Sequence, residues 1–153
     1  MSLLESKESN GSISLKSLFD GNLDISSTSS LSIDDLSFAI CRGEWPASVS
    51  MPKEIALDTS VNYVEADPTI AAAVLGTNPV GILKDFNTFG FLFESLCTRD
   101  LRIYSEANGG SEFYYRDRYD FEANIIVSLR DGRWVAVEVK LGQKQIEEAA
   151  ENL

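Results

Sequence analysis

Glu122, Asn124, Glu138 and Lys140 lie within one twenty-residue stretch, FEANIIVSLRDGRWVAVEVK, otherwise rich in apolar residues. The chain contains no histidine. That removes imidazole acid–base chemistry, Ser-His-Asp and Cys-His triads, and histidine-ligated zinc. Chemistry here must come from carboxylates, lysine or a hard cation held by oxygen atoms.

The stretch reads as two strands and a tight turn. Alternate strand residues share a face. Phe121, Ala123, Ile125, Val127 and Leu129 form one apolar face of the first strand, and Val135, Val137, Val139 and Leu141 continue it on the second. A two-residue Asp131-Gly132 turn would mix polar and apolar residues on both faces. A three-residue loop, Arg130-Asp131-Gly132, sets Asn124 opposite Glu138 and Glu122 opposite Lys140. Gly132 suits the left-handed position of such a loop. A one-residue slip would flip every side chain, so the apolar pattern selects this version. A solvated outer face with a Glu122–Lys140 cross-strand pair, worth roughly 0.2–1 kcal/mol, would also produce the pattern.

The surrounding elements follow from local signals. In SIDDLSFAICRG, Ser32 caps a helix, Asp34 and Asp35 sit at its positive end, and Gly43 stops it. Leu36, Phe38, Ala39 and Ile40 form its apolar side. ADPTIAAAVLG is a second short helix with Asp67 as cap, Pro68 in the first turn and Gly76 at its end. Asn78-Pro79 starts another turn. From Asn87 a long helix runs to Asn108-Gly109. Phe89 to Leu96 is apolar nearly all round and is expected to be buried on several sides, with the second half facing water. Glu94 lies in the apolar half and needs a partner: a backbone group or lysine in a structural role, or a functional site. After Gly110 the order is strand, strand, strand and a final helix, QKQIEEAAENL. Residues 4–31 are rich in Ser, Gly, Asn and Asp. Apart from one possible turn at SLKSLF they read as loop.

The 153 residues suffice for one domain with a real core, and 44% hydrophobic with 24% charged residues is an ordinary globular composition. No apolar run approaches the ~20 residues that span a bilayer, and no signal peptide is visible. Two cysteines, Cys41 and Cys97, suit small packing groups in a reduced, cytoplasmic protein. The net charge of −11 disfavours nucleic acid without a local basic patch or bridging metal. Arg99, Arg102, Arg116 and Arg118 bracket the hairpin and could reach phosphates, and YYRDRYD interleaves aromatic with basic residues. Asp117 and Asp120 nearly cancel that local charge.

DPTIAAAVLG, LKDFNTFGFLFESLCTRDLRIYSEANGG, YYRDRYDFEANIIV and DGRWVAVEVKLG together resemble the C-terminal domain, of unassigned function, of a bacterial and archaeal group of AAA-type ATP-binding proteins. That domain is similar to the PD-(D/E)XK, restriction-endonuclease-like nuclease fold. The resemblance spans roughly Asp67 to Leu153, and LSIDDLSFAICRGEWPASV resembles the segment following the ATPase core. It implies an α/β (α+β) fold with a helix-strand-strand-strand-helix core, ending before the fourth strand, preceded by short helices. With the composition of the N-terminal segment, from which poor order is expected (1–31), it divides the rest of the chain into a helix and linker (32–66) and a nuclease-like domain (67–153).

The resemblance also implies roles. Glu94 matches the helix glutamate, position 124 the hairpin aspartate, and Glu138-Val139-Lys140 the E-x-K triplet. Glu94, Glu138 and Lys140 would then be the catalytic set. Glu138, Asn124, Glu94 and Glu122 would be the ligands of Mg²⁺ or Mn²⁺, which polarises a phosphate and activates water. The lysine would orient that water or stabilise developing charge.

The sequence departs from the pattern at three points. Asn124 replaces the aspartate and brings no charge, and Glu122, one pleat away at ~6–7 Å, compensates imperfectly. No G-x-x-x-x-G-K-[ST] is present, so no P-loop nucleotide site or ATPase activity is expected. The nuclease-like core lacks its fourth strand, leaving a sheet edge that the N-terminal segment or a second copy of the chain would cover. The implied function is a catalytically impaired nuclease-like domain serving binding or assembly, as a homodimer. The alternatives are a weak Mg²⁺- or Mn²⁺-dependent nuclease acting on DNA, and a gene remnant without activity.

Overall fold

A computed structural model describes residues 1–22, 25–43, 46–53, 55, 72, 75–116, 118 and 122–150, with the side chains of 47 and 122 excepted. The described elements are helices α1 (Leu15–Phe19), α2 (Ile33–Arg42), α3 (Pro46–Val49), α4 (Pro79–Ile82) and α5 (Phe86–Ala107). Strands β1 (Gly110–Arg116), β2 (Glu122–Leu129) and β3 (Trp134–Val137) follow, then helix α6 (Gln143–Ala150). This is an α+β fold: a three-stranded antiparallel sheet in the order β1-β2-β3, flanked by helices. From α5 onward the order is helix-strand-strand-strand-helix, as expected from sequence.

The chain forms two compact units, one of residues 1–11 and 28–96, the other of 12–27 and 97–153. α5 contributes residues up to Leu96 to the first and from Cys97 to the second.

In the first unit, α2 begins as predicted. Ser32 accepts from the Asp35 N–H while Asp35 reaches back to the Ser32 backbone, and Gly43 closes the helix at φ 69°. The Ser32 hydroxyl, followed by Lys53, lowers the Asp35 pKa from its ordinary value. Ile40, Cys41, Ala72, Ile82, Phe89, Leu92 and Leu96 make the core. Burial pushes the Cys41 thiol up to about 12, so it packs as a small apolar group. α4 is capped by Asn78, with Pro79 in its first turn. Asp67 and Pro68, the predicted start of the preceding helix, lie outside the described residues.

α5 departs from expectation in three ways. It starts at Phe86, because the Asp85 carboxylate accepts from the N–H groups of Asn87 and Thr88. Its first half is not buried all round: Phe89, Leu92 and Leu96 share one stripe, while Phe91 is 64% exposed. A single packed face suffices, and Phe91 points away from it. In the second half, predicted to face water, Asp100 and Ser105 are buried. Asp100 accepts from Arg99 and from the Tyr104 hydroxyl, each at 3.1 Å, and the Ser105 hydroxyl donates to the Leu101 carbonyl. Internal hydrogen bonds make that burial tolerable.

In the second unit, Ile125↔Val137, Ile126↔Ala136, Val127↔Val135 and Ser128↔Trp134 set the hairpin register. Leu129 N–H donates to the Arg133 carbonyl, and Gly132 N–H to the Leu129 carbonyl. The loop is therefore the three-residue Arg130-Asp131-Gly132, with Gly132 at φ 89°. A Cβ at Gly132 would meet no atom within 4 Å, so a substitution there costs only backbone conformation. Gly132→Ala is expected to lose about 1–2 kcal/mol in urea unfolding.

Ala123, Ile125 and Val127 are buried, which bears out the core face of β2. β3 is shorter than the sequence suggested. It ends at Val137, and Glu138 to Lys140 are not strand.

Candidate functional site

Side chains take over where the β2–β3 backbone ladder stops. Asn124 N–H donates to Glu138 Oε2 at 3.1 Å, and Val139 N–H donates to Asn124 Oδ1 at 2.8 Å. Lys140 Nζ donates to Glu138 Oε1 at 2.5 Å. One carboxylate and one amide thus replace two rungs of the sheet.

The register against β1 helps to explain this. From Phe113↔Ile126 to Tyr115↔Ala123 the pairing advances two residues on β1 and three on β2. The extra residue falls at Asn124–Ile125 and forms a bulge. A bulge takes a residue out of the ladder and re-aims its side chain. Here Glu138 supplies an acceptor for the bulged backbone, and Asn124 reaches across to the departing strand.

Burial sharpens the electrostatics. The Glu138 side chain is 11% exposed and that of Lys140 30%. A carboxylate so enclosed requires a cation or several donors. It has both, since Lys140 takes one oxygen and the Asn124 amide the other.

The structure thus brings together three of the residues singled out in sequence: Asn124, Glu138 and Lys140. Glu122 belongs to β2 and pairs with Arg116 in the β1 register, but its side chain lies outside the described residues. Lys140 pairs with Glu138; the expected Glu122–Lys140 cross-strand pair rests on the Glu122 side chain and lies outside the described residues. Glu94 is half-buried on α5, within the first compact unit, whereas the other three belong to the second.

As they stand, these residues do not present an open set of oxygens to a divalent cation. Both Glu138 oxygens and Asn124 Oδ1 already accept protein donors. Among the described residues no group of three or more Cys, Asp or Glu side chains is arranged to hold a metal ion.

The proposed phosphate contacts are also partly engaged. Arg99 pairs with Asp100, and Arg102 with Glu112 at 2.5 Å. Arg116 and Arg118 are exposed, while Asp117 and Asp120 lie outside the described residues.

Residues 89–153 match the model of a family described as a domain of unknown function (DUF4143). The match begins within α5 and takes in the whole sheet and every candidate residue. No curated protein and no solved structure gives a match.

Sequence reasoning set Trp134 on the face opposite Val135 without singling it out, and two features here went unassigned. Trp134 is 66% exposed and Phe113 58% exposed, on the sheet face opposite Val127 and Ile125. Their parity was available, since Trp134 alternates with the predicted core residue Val135. The second feature is Arg133. It stacks on Phe19, donates to the Phe19 carbonyl at 2.7 Å, and pairs with Asp20 and Asp131. Nothing local signals a link between residues 114 positions apart. It ties the N-terminal segment to the hairpin loop, although none of that segment's described residues adds a strand to the sheet. The Arg133 guanidinium lowers the Asp131 pKa, and the two carboxylates raise that of Arg133, Asp131 contributing more.

Among the described residues no helix is long and apolar enough to cross a membrane.

Proposed function

We propose that residues 67–153 form a nuclease-like domain that has lost metal-dependent phosphodiester cleavage and now serves as a binding or assembly module. The reading draws on the sequence resemblance to the C-terminal domains of AAA-type ATP-binding proteins and to the PD-(D/E)XK fold. One observation carries the loss of cleavage: an amide at position 124 and an ammonium at Lys140 close the cluster around Glu138.

In the active pattern, an aspartate and the E-x-K glutamate would supply charged oxygens to Mg²⁺ or Mn²⁺. Here Asn124 contributes no charge, and its oxygen accepts a backbone amide. Lys140 neutralises Glu138 from within. Assembly is the natural remaining use, because β3 is an edge strand with no strand on its far side among the described residues.

Mn²⁺ calorimetry on the full chain tests the reading. The native protein is expected to release no binding heat. Asn124→Asp restores a carboxylate and is expected to bind Mn²⁺, with Lys140 displaced from Glu138. Binding by the native protein, with cleavage of a DNA duplex in Mn²⁺, would overturn the proposal in favour of a weak nuclease. Absence of binding in both would mean that the polar face is structural and that these residues form no metal site.

A further inference from the structure

Among the described residues, the two edges of the sheet are unequally protected. β1 faces the bulged part of β2 and ends in Arg116, and bulges and charges both discourage further pairing. β3 is Trp-Val-Ala-Val, without a charge, proline or bulge. Trp134, Val135 and Val137 favour strands, and Trp134 is 66% exposed at its start.

The hydrogen-bond phase of this edge is fixed at both ends. The Arg133 carbonyl accepts from Leu129, and Val139 N–H donates to Asn124. Odd-numbered residues from 133 to 139 therefore turn their backbone groups toward β2. Trp134, Ala136 and Glu138 turn theirs outward.

We infer that β3 pairs antiparallel with β3 of a second copy of this chain, with Ala136 on the two-fold axis, joining two three-stranded sheets into one of six strands. This rests on the assembly reading above.

The outward phase restricts the partner register. Directly opposed residues must both present outward groups or both present inward ones. That leaves Ala136 or Val135 on the axis for a strand of this length. With Val135 on the axis, Arg133 of one copy would stand opposite Val137 of the other on the core face. Arg133 is already committed to Phe19, Asp20 and Asp131.

With Ala136 on the axis, Val135 meets Val137 and extends the apolar face across the junction. Trp134 then stands opposite Glu138 of the other copy, beside the Asn124–Glu138–Lys140 cluster. The indole covers the half-buried lysine stem and lies within reach of its ammonium. Each copy thereby supplies a wall to the other's cluster, and no like charges oppose each other along the strand.

Thiol coupling tests the register on the full chain. Opposed residues in a hydrogen-bonded antiparallel pair have Cα atoms about 5.5 Å apart, which a disulfide bridges. Ala136→Cys is expected to couple into a covalent dimer under mild oxidant, and Val135→Cys is not. Native protein, with Cys41 and Cys97, sets the background. Ala136→Pro removes one outward N–H and leaves the β2 ladder intact. It is expected to abolish the dimer in sedimentation equilibrium while far-ultraviolet circular dichroism is unchanged.

A dimer that couples through Val135→Cys, or through neither cysteine, would overturn this register and leave the assembly reading standing. A native chain that stays monomeric at high concentration would overturn both.

Discussion

Glu8→Ala is expected to destabilise the first unit by about 3 kcal/mol in urea unfolding, at the lower end for breaking a buried ion pair. Arg42 is only 4% exposed. Its Nη1 and Nη2 donate to the two Glu8 oxygens at 3.0 and 2.8 Å, and Nε donates to the Gly43 carbonyl at 3.0 Å. Phe38 lies under the guanidinium at 5.8 Å. Without Glu8 the charge stays buried while two of its three hydrogen-bonded nitrogens lose their acceptors. The Glu8 side chain keeps some water contact at 19% exposure, which places the estimate at the lower end. Replacing both partners, with Glu8→Leu and Arg42→Met, is expected to recover most of the loss, because the desolvation cost disappears with the charges. The Lys53–Asp35 pair makes the contrast. With side chains 62% and 46% exposed, that pair is screened by water and contributes little to stability.

Glu138→Ala is the second large effect, about 2–3 kcal/mol by the same measurement. It removes the acceptor of the Asn124 N–H and the counter-charge of Lys140 together. Lys140 is 30% exposed and recovers part of its hydration, so the backbone donor carries much of the loss. Glu138→Gln keeps an acceptor and gives up the charge, and is expected to cost about 1 kcal/mol. A ranking with Gln as damaging as Ala would mean that the ion pair, rather than the hydrogen bond to the bulge, holds this end of the hairpin.

Much of the local architecture was legible before any coordinates. Ser32 with Asp35, Asn78 with Pro79, and Gly132 in a three-residue loop each act within a few residues, where spacing alone carries the signal. The hairpin register was legible because only one loop length gave a continuous apolar face. Asn124, Glu138 and Lys140 were brought together for the same reason.

Other features depend on contacts that spacing does not encode. The bulge at Asn124–Ile125 is set by pairing with β1 and leaves no mark in the β2 alternation. β3 ends at Val137 although the alternation continues to Leu141, because side chains there substitute for the ladder. Arg42 stands in the last turn of α2, and its buried pairing with Glu8, 34 positions away, has no local signal. Phe91 reads as core because it lies within a continuous apolar run, whereas burial follows the Phe89–Leu92–Leu96 stripe.

The side-chain rungs at the end of the hairpin bear on how this motif evolves. Asn124 and Glu138 each hold a backbone N–H, and Lys140 balances a carboxylate that folding has enclosed. Selection for a foldable hairpin would therefore retain an acceptor at position 124 followed by E-x-K, even in lineages under no catalytic constraint. Persistence of that pattern among relatives would record the needs of folding as readily as those of catalysis. Only a shift between Asn and Asp at position 124, which leaves the acceptor in place and changes the charge, separates the two pressures.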